Sequence, residues 1–167
     1  MRYSFYILIF LFTSLNSPGQ PGKFKKLIPA TPIGWVSDFE KDFSADQVNI
    51  LDSIINLFEN ETSNEIAIVT VEIDTIAIKS LEEFEEFSLE LFNEWGVGKD
   101  EKNNGIVIVF SKKLRMIRIE VGEGLTEKLT DHEAKAIIDN LIIPAFRKSN
   151  YFDGIIKGLS EIIKEIR

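Results

Sequence analysis

Two short runs of β-branched and apolar residues set the strongest limit on how this chain folds. Glu65–Ile73 (EIAIVTVEI) begins with apolar side chains at successive positions, and Gly105–Ser111 (GIVIVFS) is apolar almost throughout. A strand without a polar face belongs in the interior of a sheet that is covered on both sides. The rest of the chain must therefore supply helices for two faces of one sheet.

Three capping boxes predict where those helices begin. Ser44, Ser80 and Thr130 are each followed three positions later by Gln or Glu, an arrangement that satisfies free N–H groups at a helix start. Apolar residues at helical spacing follow each box, and a last segment of the same kind runs from Phe152 to Ile166. The sequence thus predicts four helices that each turn one apolar face inward.

The remaining elements complete a layered architecture. Arg115–Val121 alternates polar and apolar residues, so we expect a third strand, joined by a turn at Lys112–Leu114 to Gly105–Ser111 as an antiparallel hairpin. Trp35–Phe39 is either a short strand or an anchored turn. The order α, β, α, β, β, α, α predicts a three-layer α/β sandwich, in which a small mixed β-sheet is flanked by helices.

The N-terminus has the three-part layout of a secretory signal. Arg2 precedes an almost wholly apolar run of about 13 residues, too short for the roughly 20 that cross a bilayer, and polar residues follow. We expect a signal peptide over 1–20, an extended N-terminal arm over 21–34 and a folded domain over 35–167. The chain is then exported, periplasmic or secreted, with no stable membrane span after cleavage. An uncleaved N-terminal anchor is the alternative.

Composition excludes several classes of function. The 167 residues contain no cysteine and one histidine, which rules out disulfides, thiol nucleophiles, zinc sites with cysteine ligands and multi-histidine metal sites. The net charge of −8 argues against nucleic acid as a partner, because phosphate backbones need a concentrated basic face. An acidic chain without His or Cys clusters suits hard cations instead.

Polar side chains near predicted element ends suggest such a cation site. Asp38, Asn104, Glu120 and Asp131 are the predicted ligands, and their oxygens suit calcium or magnesium. Each also has a purely structural interpretation. Asp131 can stabilise a helix start, and Asn104 can belong to a turn. Glu120 shares a strand face with Arg118, and the two form either an exposed ion pair or a cleft wall.

Five motifs in order resemble the TPM domain family, also called the TPM phosphatase domain. They are W-G-x-G at Trp95–Gly98, N-N-G at Asn103–Gly105, R-I-E-V-G-x-G-L at Arg118–Leu125, T-D at Thr130–Asp131 and I-P-A-F-R at Ile143–Arg147. The resemblance extends from about Trp35 to about Ile166. It implies an α/β sandwich on the extracytoplasmic side, calcium bound by acidic loop residues, and acid phosphatase activity in some members.

Carried over by position, the resemblance assigns family roles to individual residues. The family's early Asp corresponds to Asp38, its strand Arg and Glu to Arg118 and Glu120, and its Thr-Asp to Asp131. Where the family often has Asp before Asn-Gly, this chain has Asn103, which removes a negative charge and should weaken a cation site.

Two functions are consistent with these residues. The first is an exported TPM module with a calcium site that acts as an interaction or maintenance protein by contacting an envelope protein. The alternative is a metal-dependent acid phosphatase that hydrolyses phosphate monoesters, with Arg118, Glu120 and Asp131 as catalytic candidates. In that mechanism the cation polarises a phosphoryl oxygen, a carboxylate positions water and Arg118 stabilises the developing charge.

Overall fold

The computed structural model describes residues 22–99 and 101–167, so the predicted signal peptide lies outside the described residues. A four-stranded sheet forms the centre, in the spatial order β1-β2-β3-β4. Its strands are β1 Val36–Asp38, β2 Glu65–Thr70, β3 Gly105–Ser111 and β4 Met116–Val121. The first three are parallel, and β4 is antiparallel to β3. The predicted mixed sheet and its hairpin are confirmed.

Helices cover both faces of the sheet, which confirms the three-layer α/β sandwich. They are α1 Ala45–Thr62, α2 Leu81–Trp95, α3 Asp131–Ile137, α4 Ile143–Phe146 and α5 Tyr151–Ile166. A π-helical turn, Ile138–Ile142, connects α3 to α4 just before Pro144, a residue that cannot donate the next helical hydrogen bond. The capping boxes at Ser44 and Thr130 form with both reciprocal bonds. Ser80 also caps its helix, but the Glu83 carboxylate accepts from Lys79 N instead.

The two faces of the sheet bury separate apolar clusters. Leu51 of α1 and Leu159 of α5 are fully buried in one cluster, together with Ile108 of β3. On the other face, Phe87 of α2 is fully buried in a second cluster with Val109 of β3. Neighbouring residues of β3 thus pack against opposite helix layers, as predicted for a strand that is apolar at successive positions.

The N-terminal arm packs along α2 as a series of turns. Phe24 is buried in the second cluster, and its ring meets that of Phe87 edge to face at 6.1 Å. Its N–H donates to the Glu90 carboxylate at 2.8 Å. Further along, the Trp95 indole donates to the Pro29 carbonyl at 3.0 Å. The arm is therefore a structural part of the α2 layer.

Three glycines allow a close approach between backbones at the end of the sheet. A Cβ at Gly105 would overlap the Val97 carbonyl, and one at Gly124 would overlap the Lys102 carbonyl. Gly122, with φ −64°, lies in the same way against the Asn103 carbonyl. Contact with neighbouring backbone explains these glycines, since neither Gly122 nor Gly124 has a positive φ.

Candidate functional site

Asp38 ends β1 at the carboxyl edge of the parallel strands, and its carboxylate organises the turn that follows. It accepts from Asp42 N at 3.0 Å, from Phe43 N at 2.8 Å and from the Thr70 hydroxyl at 2.7 Å. Because Thr70 is the β2 residue paired with Asp38, this network ties the ends of two strands together. The network gives Asp38 a structural role at that edge.

Asn104 lies at the opposite edge, immediately before β3. Its amide donates to the Ser63 carbonyl at 2.7 Å and to the Asn64 side chain at 3.0 Å, and its oxygen accepts from Lys99 N at 2.9 Å. Asp38 is level with Phe110 across the sheet, so about six residues of strand, or roughly 20 Å, separate it from Asn104. The four predicted ligands therefore do not share one site in the structure.

The other predicted residues do come together, around Arg118 of β4. The guanidinium Nε lies 3.1 Å from a Glu120 oxygen, Nη1 lies 3.4 Å from Glu85 of α2, and Nη2 lies 3.9 Å from Asp131 at the start of α3. One arginine thus bridges three elements and faces three carboxylates. All three catalytic candidates belong to this cluster, which we call the Arg118 cluster: Glu85, Arg118, Glu120 and Asp131.

Strand geometry explains which side chains the Arg118 cluster contains. Arg118 and Glu120 lie on the α2 side of β4, where they pair with Val109 and Val107 of β3. Ile119 points to the opposite face of the sheet and is buried in the apolar cluster under α1 and α5. The predicted alternation of β4 therefore holds. The exposed fraction falls from 90% for the Asp131 side chain to 28% for Arg118 and 11% for Glu120, so the cluster extends from solvent into the protein.

Burial raises the pKa of the Glu120 carboxyl to about 7, from an ordinary value of 4.5. Loss of solvent is the largest cause, since water no longer stabilises the ionised form. Arg118 opposes the rise in pKa through its charge and hydrogen bond, whereas the charges of Asp131 and Glu85 add to it. Both the protonated and the ionised form of Glu120 are therefore populated near neutral pH.

A second polar group at the carboxyl edge of the strands was not among the predicted site residues. Glu40 accepts from the Ser111 hydroxyl and from Lys112 N, and the Lys112 ammonium pairs with the buried Asp42 side chain. One oxygen of Asp42 is buried without a hydrogen-bond partner in the described part of the chain. Only the basic turn Lys112–Lys113 marks this place in the sequence, because Glu40 and Asp42 belong to an irregular turn.

The chemistry of the Arg118 cluster suits hard cations, but its geometry limits how many ligands it can supply. Within residues 22–99 and 101–167, no group of three Asp, Glu or His side chains is arranged to hold a metal ion. Glu120 and Asp131 could contribute oxygens only as a pair, and water would complete the coordination shell.

A family model described as the TPM domain matches residues 36–165. The chain therefore belongs to the TPM domain family. A search of curated proteins found no significant match.

Solved structures agree with this assignment. The N-terminal domain of a protein from P.gingivalis is 27% identical, with a TM-score of 0.69, and 87% of each chain is covered. The N-terminal domain of the cg2496 protein from Corynebacterium glutamicum is 14% identical (TM-score 0.58; 83% of this chain and 84% of that chain covered). The BA42 protein from Bizionia argentinensis is 21% identical (TM-score 0.53; 77% and 83% covered). The last two support the fold alone.

None of the helices within the described ranges combines the length and the apolar character that a membrane crossing requires.

Proposed function

We propose that this chain acts outside the cytoplasm as a TPM-domain interaction module that binds a divalent cation, calcium or magnesium, at the Arg118 cluster. The observation that carries the proposal is the imbalance of charge, since three carboxylates surround one guanidinium. The charged start and apolar run of residues 1–20 support export. Exported proteins meet calcium at concentrations that suit weak sites with few ligands.

Glu120 and Asp131 are the residues that would hold the cation. The Asp131 side chain is 90% exposed and lies at the edge of contact with Arg118, so it is free to turn toward a bound ion. Glu120 would supply an oxygen from the buried side and release its proton in doing so. A bound cation would neutralise this patch and change how it meets an envelope protein partner.

Calorimetric titration with calcium tests the proposal. We expect heat that saturates at millimolar calcium or below, and about tenfold weaker binding in Asp131→Asn. Asp139→Asn is the matched control, because it removes an equally charged side chain that pairs with Lys135. Binding should also weaken from pH 8 to pH 6, because protons compete for Glu120. The proposal fails if calcium produces no heat, or if both variants bind as the wild type does.

One observation favours the alternative function, a metal-dependent acid phosphatase. A carboxyl with a pKa of about 7 beside a guanidinium can exchange a proton near neutral pH, as general acid–base catalysis requires. Glu120 would position water or transfer a proton, and Arg118 would stabilise charge on the phosphoryl group. The cation, when bound, would polarise a phosphoryl oxygen.

A chromogenic phosphate ester, assayed with calcium or magnesium, tests this alternative. If the protein is a phosphatase, Glu120→Gln should lower the rate by at least about 100-fold, since it removes the proton-transferring group. Glu127→Gln, an exposed substitution of the same kind, should leave the rate unchanged. Equal background rates in all three proteins would remove the enzyme hypothesis and leave the cation-binding module.

A further inference from the structure

A cavity of about 580 Å³ opens beside the β3–β4 turn, apart from the Arg118 cluster. Its volume lies in the range of sites for small molecules. We call it the basic cavity, and its walls include Lys112, Arg115, Phe146, Arg147, Ser149 and Tyr151. It lies next to the carboxyl end of β3, the edge of an α/β sheet where ligands commonly bind.

The charge of the basic cavity is opposite to that of the whole chain. Lys112, Arg115 and Arg147 line it, and no Asp or Glu does, although the net charge is −8. Lys112 pairs with Asp42. Arg115 and Arg147 are exposed, and in the part of the chain that the structure describes neither forms an ion pair. Two positive charges therefore remain available to an anion.

Two turns position the basic side chains of the cavity. Arg115 (φ 57°) and Ser149 (φ 62°) both adopt the left-handed conformation that reverses the chain at these turns. α5 begins at Tyr151 on the cavity wall, and Asn150 makes no side-chain capping bond there. The N–H groups at the start of this helix add partial positive charge near the cavity, and the Asp153 carboxylate in the same turn offsets part of it.

Aromatic packing holds the cavity wall in place. The Tyr151 ring meets Phe146 at 4.9 Å between centroids and stacks on the buried Phe110 at 6.4 Å. The Lys112 ammonium lies 5.5 Å from the centroid of the Tyr151 ring. The cavity thus has a packed aromatic wall on one side and exposed cationic side chains on the other, an arrangement that suits a small charged ligand.

We propose that the basic cavity binds a small polyanion, a molecule that carries two or more phosphate or carboxylate groups. Two guanidinium groups can each form paired hydrogen bonds with an oxyanion, so a ligand with two anionic groups uses both. The acidic remainder of the surface repels long polyanions, which favours a small ligand over nucleic acid. The proposal does not depend on the function proposed for the Arg118 cluster.

Calorimetric titration of the full chain with pyrophosphate, citrate and inorganic phosphate, without added divalent cation, tests the proposal. We expect pyrophosphate or citrate to bind at least about tenfold more tightly than inorganic phosphate, because each carries more than one anionic group to pair with the two arginines. Pyrophosphate alone would identify phosphate groups as the ligand chemistry, and citrate alone would identify carboxylates.

Arginine variants locate the binding. Arg115→Gln and Arg147→Gln should each weaken it about fivefold or more, and the double variant should abolish it. Arg167→Gln, which removes the same charge from a residue paired with Glu61, should bind as the wild type does. The proposal is overturned if neither polyanion binds, or if Arg167→Gln weakens binding as much as the cavity variants. Asp131→Asn should leave pyrophosphate binding intact, which separates this site from the Arg118 cluster.

Discussion

Replacing Gly105 with alanine is expected to destabilise the protein by about 3 kcal/mol or more. The new Cβ would overlap the Val97 carbonyl, and main-chain atoms cannot rotate away as a flexible side chain can. Gly105 also starts the central strand β3, so any shift of its backbone disturbs pairing with both neighbouring strands. A loss of this size is a large share of the stability of a typical domain.

Urea and thermal unfolding measure this effect against a matched control. Gly34→Ala makes the same chemical change where no atom lies within 4 Å of the new Cβ, and it should alter stability by less than about 0.5 kcal/mol. For a domain of this size, Gly105→Ala should lower the Tm by about 6–12 °C. If the two variants melt together, the close approach of Val97 to β3 is not a constraint on folding.

We expect the wild type to lose stability as pH rises from about 4.5 to about 7, because of Glu120. Replacing Glu120 with glutamine should abolish this dependence on pH. The folded protein holds the Glu120 proton up to a pKa of about 7, whereas the unfolded chain releases it near 4.5. Between these values the folded state binds more protons, so the free energy of unfolding falls as pH increases. The full contribution is at most about 3.4 kcal/mol.

Unfolding at a series of pH values tests this expectation. Glu120→Gln should match the wild type near pH 4 and exceed its stability at pH 8, because a neutral amide pays no cost of burying a charge. Glu127→Gln changes an exposed acid in the same way and should keep the wild-type dependence on pH. Parallel profiles for the wild type and Glu120→Gln would show that the folded protein releases the Glu120 proton at the same pH as the unfolded chain, and would contradict the raised pKa.

Local patterns were enough to predict the layers of the fold. The two runs that are apolar at successive positions form the central strands β2 and β3. Ser44, Ser80 and Thr130 cap helices, as the capping boxes predicted. These predictions hold because hydrogen bonding within a few residues and burial on one face act at short range.

The candidate site was harder to predict, because it depends on which edge of the sheet each residue reaches. Asp38 ends a parallel strand and Asn104 precedes another, so chain direction alone sends them to opposite edges. Arg118 and Glu120 were recognisable as neighbours on one strand face. Their contact with Asp131 depends on how α3 packs beside β4, which spacing does not encode.

The basic cavity shows the same limit. Arg115 and Arg147 are 32 positions apart in the numbering, and each follows an ordinary turn or helix end in the sequence. They line one cavity only because the β3–β4 turn and the turn between α4 and α5 meet at the carboxyl edge of the sheet. No local sequence pattern predicts a site of this kind, because its two arginines come from separate layers of the fold.

The burial of Phe24 constrains how this protein can sit at a membrane if residues 1–20 are retained as an anchor. Only Pro21, Gly22 and Lys23 separate the predicted cleavage point from a ring fixed against α2, a tether of at most about 14 Å. The side of α2 that the arm covers carries Glu86, Glu90 and Glu94. These carboxylates are paired with Lys23, the Phe24 N–H and Lys25 of the arm itself. An anchored form would therefore hold this neutralised, arm-covered side of α2 within about 14 Å of the lipid surface.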